Sequence, residues 1–328
     1  MVRIVLSIFL ALCVLPLVAA AQGTVDLYIF AGQSNADGRG EVSDLSIGQI
    51  QSLQSDAIIG YLNPGSERER SNPLSTPPDL DVGTDGFVEL TPNGVFSGGF
   101  SVDRTSSREL SPTFGAELSF GASIAEATGS DNQIAIVKVS RGGTSLRSDW
   151  DATPDNPNNA PDGDEPEGFL YRALIEQVTA SIAELEAQGN TVNVEGFLWH
   201  QGESDSSNGL NSYADNFGDL VDGVRDEFGD GIPFVLAELA QEREGAGTEA
   251  FNENLNNVVA AREGLSFVSS VGLTTPDDDL THFDAAGQVE LGQRFAAAFA
   301  TTSVPEPSSG IIVFALGLGL AARRNRKR

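Results

Sequence analysis

The chain has 328 residues, 40% of them hydrophobic and 20% charged, which is enough apolar material for one large core. With 19 basic against 47 acidic residues the formal charge is −28, a surface that repels phosphate backbones and excludes nucleic acid as a partner. The single cysteine, Cys13, falls in the apolar N-terminal stretch, so the rest of the chain has no disulfide, no thiol nucleophile and no thiolate-bound metal.

Residues 1–21 read as a secretory signal peptide, with Arg3, an apolar run and small residues at Ala19 to Ala21. A signal anchor is the other reading. The exported domain then spans 22–302. Within it, "VDLYIFA" (25–31) is an apolar run of strand length that stops abruptly at "GQSN". Residues 40–111 are rich in Ser, Gly, Pro and Asp, a long insertion of the kind that often carries function. A helix is predicted from Ser111 as N-cap and Pro112 as its first position to Gly129. A strand over 133–140 ends in "SRGGTSL", and an amphipathic helix over 169–189 is closed by Gly189. The strand 192–200 runs into "QGESD". A helix over 211–228, a strand over 233–239, a helix over 248–262 and a strand over 265–273 follow. "DDDLTHFD" leads to the last helix, 284–300, with Asp284 as its N-cap.

Strands separated by helices predict βαβ units: an α/β domain with about five parallel strands covered on both faces. In such sheets ligands gather outside the carboxyl ends of the strands. Three strands end there in unusual polar motifs and a fourth motif follows the last strand. The only two histidines, His200 and His282, both fall inside these motifs.

Ser34, after a strand and before a turn, is placed for nucleophilic attack if a base takes its proton. Asp279 and His282 are three apart, so one turn puts them on one side, where the acid can hold Nδ1 while Nε2 faces Ser34. The N–H groups of Ser34 and of Gly142 or Gly143, with the side-chain amide of Gln201, can aim donors at one oxyanion. Gln33 and Asn35 flank the nucleophile in a supporting role. Arg141 and Glu203 carry opposite charge in neighbouring loops and are expected to pair. The three consecutive carboxylates at 277–279 cannot easily converge on one ion, so no metal and no cofactor are expected.

The order GQSN, GGTSL, WHQGES, DLTH resembles the SGNH hydrolase superfamily, within it the sialate O-acetylesterase and acetylxylan esterase group. The likeness runs over about residues 25–300. It implies a flavodoxin-like three-layer α/β/α sandwich and metal-free deacetylation of sugars. Ser34 would be the nucleophile, His282 the base and Asp279 its orienting acid, with Gln201 among the oxyanion donors and His200 packed beside it. Ala36 departs from the methionine common after GQSN, and the length of the 40–111 segment makes the substrate-facing wall hard to transfer, so both bear on specificity. A non-catalytic carbohydrate-binding surface protein on the same fold is the alternative.

Residues 303–328 are segmented: "VPEPSSG", "IIVFALGLGLAA", then "RRNRKR". The apolar part is shorter than the roughly 20 residues a membrane-spanning helix needs. A terminal basic cluster would stay on the cytoplasmic side during export, giving only transient membrane contact. This order resembles the PEP-CTERM sorting signal of Gram-negative bacteria. That resemblance implies processing by an exosortase-like peptidase and delivery to the cell surface or extracellular matrix; the leader adds a signal peptidase as partner, and the esterase resemblance an acetylated carbohydrate as substrate. A plain tail anchor or a disordered end is the other reading.

Overall fold

The computed structural model describes residues 23–62, 87–91, 113–153, 167–207, 210–243 and 247–303. The leader read at 1–21, the tail beyond Ser303, Ser111, Pro112 and much of the 40–111 segment lie outside them.

The chain opens with β1 (Thr24–Gly32), a single-turn helix α1 (Ser34–Asp37), β2 (Gly40–Glu41) and α2 (Ile47–Ser52). Next come β3 (Ile58–Leu62), β4 (Val88–Glu89), β5 (Thr113–Phe114), α3 (Glu117–Thr128), β6 (Gln133–Ser140) and α4 (Phe169–Ala187). The remainder is β7 (Thr191–His200), α5 (Leu210–Phe228), β8 (Phe234–Ala237), α6 (Thr248–Ala260), β9 (Leu265–Val268) and α7 (Ala285–Ser303).

The main sheet has the order β4-β3-β6-β1-β7-β8-β9. Every neighbouring pair is parallel except β3 with β4. The five strands read from the sequence thus lie in the flavodoxin-like order 2-1-3-4-5, and β3 and β4 extend the sheet beyond the expected five. The chain reverses direction across the sheet at β1, so the crevice for a ligand opens at its carboxyl end.

Side-chain alternation along the strands feeds two cores. Leu27, Ile29, Val137, Phe197 and Phe234 pack with Leu174 of α4, Phe217 of α5 and Leu255 of α6. Tyr28, Phe30, Ile136, Leu198 and Val235 pack on the opposite face with Phe120 of α3 and Phe295 of α7. Three layers result, which is the expected sandwich.

Two boundaries differ most from expectation. Helix α3 starts at Glu117 because Thr113 and Phe114 pair antiparallel with Gly40 and Glu41, holding the chain extended where a helix was read. Its other end is as expected, with Gly129 in the left-handed conformation (φ 69°). Strand β9 stops at Val268, since Glu238 Oε2 accepts from Ser270 N–H and from Ser269 Oγ and turns the chain away. Asp284 does cap α7: its Oδ1 accepts from Gly287 N–H at 2.8 Å.

Candidate active site

The polar motifs meet at the carboxyl edge because backbone bonds lace their loops together. Gln33 N–H donates to the His200 carbonyl at 3.0 Å, and Arg141 N–H donates to the Gly32 carbonyl at 3.1 Å. Gly32 has φ 146°, and a Cβ there would run into the His200 carbonyl. Only glycine lets β1 turn out of the sheet so close to β7.

Ser34 follows that turn as the first residue of α1. Its Oγ lies 2.8 Å from His282 Nε2, and Asp279 Oδ2 lies 2.5 Å from His282 Nδ1. Asp279 Oδ1 also accepts from the N–H groups of Thr281 and His282, which folds the loop around its carboxylate. Burial pushes the Asp279 carboxyl up, but the His282 hydrogen bond and charge, with those N–H groups, outweigh it and leave it below the usual range. The arrangement suits a hydroxyl nucleophile, a neutral imidazole base and a carboxylate that fixes its tautomer.

The residues flanking Ser34 reach across more than half of the chain. Asn35 Nδ2 donates to Glu203 Oε1 (2.7 Å) and to the Thr281 carbonyl (2.9 Å), while its Oδ1 accepts from Phe283 N–H (3.0 Å). One amide therefore grips the loop on both sides of His282. Gln33 Oε1 accepts from Gln201 Nε2 at 3.1 Å, joining β1 to the loop after β7.

Gln201 Nε2 also lies 3.0 Å from the Thr144 carbonyl and 2.6 Å from Asp205 Oδ2. Its two amide hydrogens face three internal acceptors, so the side chain braces loops instead of pointing a spare donor at an oxyanion. The backbone donors stand differently. The N–H groups of Ser34, Gly142 and Gly143 have no acceptor among the described residues. Gly142 is the glycine against the nucleophile, since a Cβ there would stand 3.4 Å from Ser34 Cβ.

The expected Arg141–Glu203 pair is not formed. Glu203 is buried and its Oε1 is taken by Asn35, while Oε2 has no partner among the described residues. Burial pushes this carboxyl up, against the opposing Asn35 hydrogen bond. His200 is fully buried and stacks on Phe283 with ring centroids 5.6 Å apart. Burial lowers its pKa to about 3, opposed by the Glu238 backbone and reinforced by the His282 charge, so the ring is neutral and packs as expected.

Several participants were not singled out in the sequence. Asp205 accepts from Leu146 N–H as well as from Gln201, tying the loop after β6 to the loop after β7. Behind α1, Lys138 Nζ donates to the Asp37 carbonyl (2.7 Å) and to Glu117 Oε2 (2.9 Å), with both charged side chains inaccessible to solvent. Asp37 in turn accepts from Tyr61, Ser140 and Arg39. The signal available for Lys138 was charge within an apolar strand, as in "VKVS".

A family model described as carbohydrate esterase, sialic acid-specific acetylesterase matches residues 24–301. A PEP-CTERM protein-sorting motif, which marks export to the cell surface in Gram-negative bacteria, matches residues 303–327. No curated protein matches. Among solved structures, a protein from Arabidopsis thaliana is 17% identical with a TM-score of 0.59, over 86% of this chain and 100% of that one. A carbohydrate acetylesterase from Xanthomonas citri is 17% identical with a TM-score of 0.54, over 85% of this chain and 56% of that one. NanS is 17% identical with a TM-score of 0.53, over 86% of this chain and 98% of that one. At such identities the likeness to solved structures shows a shared fold, whereas the family model spans most of the chain: the protein belongs to the carbohydrate esterase family of sialic acid-specific acetylesterases.

Proposed function

We propose that this protein is an exported serine esterase that removes O-acetyl groups from carbohydrate, its catalytic domain spanning 22–302. The observation that carries the reading is the hydrogen-bonded line from Ser34 Oγ through His282 to Asp279, at 2.8 and 2.5 Å. Ser34 Oγ bonds to the acetyl carbonyl carbon as its proton passes to His282 Nε2. The N–H groups of Ser34 and Gly142 receive the oxyanion. The sugar oxygen departs with the proton held by His282, leaving an acetyl group on Ser34. Water, deprotonated by His282, then attacks that ester, and acetate leaves as Ser34 recovers a proton. Gln201, Gln33 and Asn35 hold the loops, with Glu203 behind Asn35. Residues 1–21 serve as the export signal, and the tail from 303 is the substrate of a sorting peptidase. Membrane contact is then limited to that tail.

Purified domain incubated with O-acetylated xylan, sialic acids and algal polysaccharides should release acetate from at least one. No release from any acetylated sugar would contradict the reading. His200 stays neutral well below neutrality, and the lowered Asp279 stays ionised through the same range, so His282 is the one histidine left to take the Ser34 proton.

A further inference from the structure

We infer that Asp37 is a positioning residue whose carboxylate sets the nucleophile Ser34 against the oxyanion donor Gly142. This deepens the esterase reading and rests on it. Asp37 lies three residues after Ser34, at the end of α1, and is buried. Its Oδ1 accepts from Ser140 Oγ at 3.2 Å and from the Tyr61 hydroxyl, and its Oδ2 accepts from Arg39 Nη1 at 2.8 Å. A carboxylate only accepts, so both oxygens can receive donors, where an amide would turn N–H groups toward one of them. The helical turn itself does not need these bonds. It is closed by Asp37 N–H on the Gln33 carbonyl (2.8 Å) and Gly38 N–H on the Ser34 carbonyl (2.9 Å).

What the carboxylate does instead follows from where its partners sit. Ser34 stands between two ties to the end of β6: Arg141 N–H donates to the Gly32 carbonyl before it, and Ser140 Oγ donates to Asp37 after it. Gly142 comes next in the chain, and a Cβ on it would stand 3.4 Å from Ser34 Cβ. The other carboxylate oxygen reaches the same place by a second route. Arg39, held by Oδ2, brings its Nη2 to 3.6 Å from that Cβ position. Both oxygens of Asp37 thus bear on the gap between the attacking hydroxyl and the Gly142 N–H. An oxyanion donor works only at hydrogen-bond distance from the developing charge, and a misplacement of about 1 Å can cost about 10²-fold. The tie to Gly32 is backbone and survives any substitution, whereas the tie to Asp37 can be cut.

The test compares p-nitrophenyl acetate with the matching thionoacetate, whose sulfur is a weak hydrogen-bond acceptor. The ratio of the two kcat/KM values reads oxyanion alignment and does not depend on how much of the protein is folded. Asp37→Ala should lower kcat on the acetate by about 10- to 100-fold with KM unchanged, the pattern of an interaction made only in the transition state. Its acetate-to-thionoacetate ratio should fall by about tenfold. Asp37→Asn, which keeps Oδ1 but meets Arg39 with an amide N–H, should fall between. Ser140→Ala, which cuts one tie and leaves Asp37 in place, should lower the ratio by less. A wild-type ratio in Asp37→Ala, however slow the variant, would overturn the role, because the carboxylate would then only hold the fold. Should Asp37→Ala not fold, wild-type ratios in both Asp37→Asn and Ser140→Ala overturn it in the same way. A raised KM with kcat intact would also overturn it, since Asp37 would then act on substrate binding. Wild type that releases acetate from neither p-nitrophenyl acetate nor acetylated sugars would overturn the esterase reading and this role with it. Turnover with an unchanged ratio overturns this role alone.

Discussion

Replacing Ser34 or His282 by alanine should each lower kcat by on the order of 10⁴-fold or more, with the fold retained. In the proposed mechanism Ser34 supplies the bond-forming oxygen and His282 carries the proton in both half-reactions, so either loss disables the whole sequence. The two effects should not add, because the pair acts as one unit. Asp279→Ala should cost less. Its side chain is 42% exposed, so water can take over part of the hydrogen bond to Nδ1. Steady-state acetate release by the purified variants, with circular dichroism to confirm folding, checks all three. Near-normal turnover in a folded Ser34→Ala protein would refute the assignment.

The second large effect concerns stability. Lys138→Ala should destabilise the domain by about 3–5 kcal/mol, because it leaves the Glu117 carboxylate buried without its partner. Against a typical total of roughly 5–15 kcal/mol, that is a large share. Burial pushes the Glu117 carboxyl up and the Lys138 amine down, each opposed by the attraction between them. The ammonium also rests 5.0 Å from the Tyr61 ring centroid and holds the Asp37 carbonyl at the end of α1. Lys138→Met with Glu117→Leu should recover most of the loss, since an apolar pair of similar volume has no charge to strand. Urea unfolding of the single and double variants measures this. A shift under about 1 kcal/mol for Lys138→Ala would mean the pair is not coupled in the fold.

The contrast between these two effects explains what could be read from the sequence. Ser34, Asp279 and His282 could be singled out because the chemistry proposed for them demands those residue types, and strand ends on one edge of a parallel sheet converge by topology. That the five main strands are parallel followed from the same alternation of strands and helices, whereas their flavodoxin-like order was implied by the family resemblance. Lys138 was not legible: a lysine in a strand reads as a solvent-facing residue, and its partner lies 21 positions away on α3. Strand β3 was hidden by its surroundings, since "IIGYL" is five residues inside a polar segment and its pairing with β6 depends on distant sequence.

The bracing residues failed in a more specific way. Opposite charge in neighbouring loops favoured an Arg141–Glu203 pair, yet burial of Glu203 made a neutral amide, Asn35, its hydrogen-bond partner across 168 positions. Gln201 was read as a donor for the oxyanion, and three internal acceptors around its nitrogen were invisible without the fold. The proline cue at residue 112 misplaced the start of α3 because a two-residue ladder with Gly40 and Glu41 keeps Thr113 and Phe114 extended. Most of the deciding contacts are long-range, while each cue was local.

In the proposed mechanism one activated hydroxyl stands at the end of β1. Peptide mapping of protein treated with a serine-directed fluorophosphonate tests this most directly. A single covalent adduct is expected on Ser34, absent from Ser34→Ala and strongly slowed in His282→Ala. An adduct on another residue, or labelling that proceeds at the same rate without His282, would contradict it.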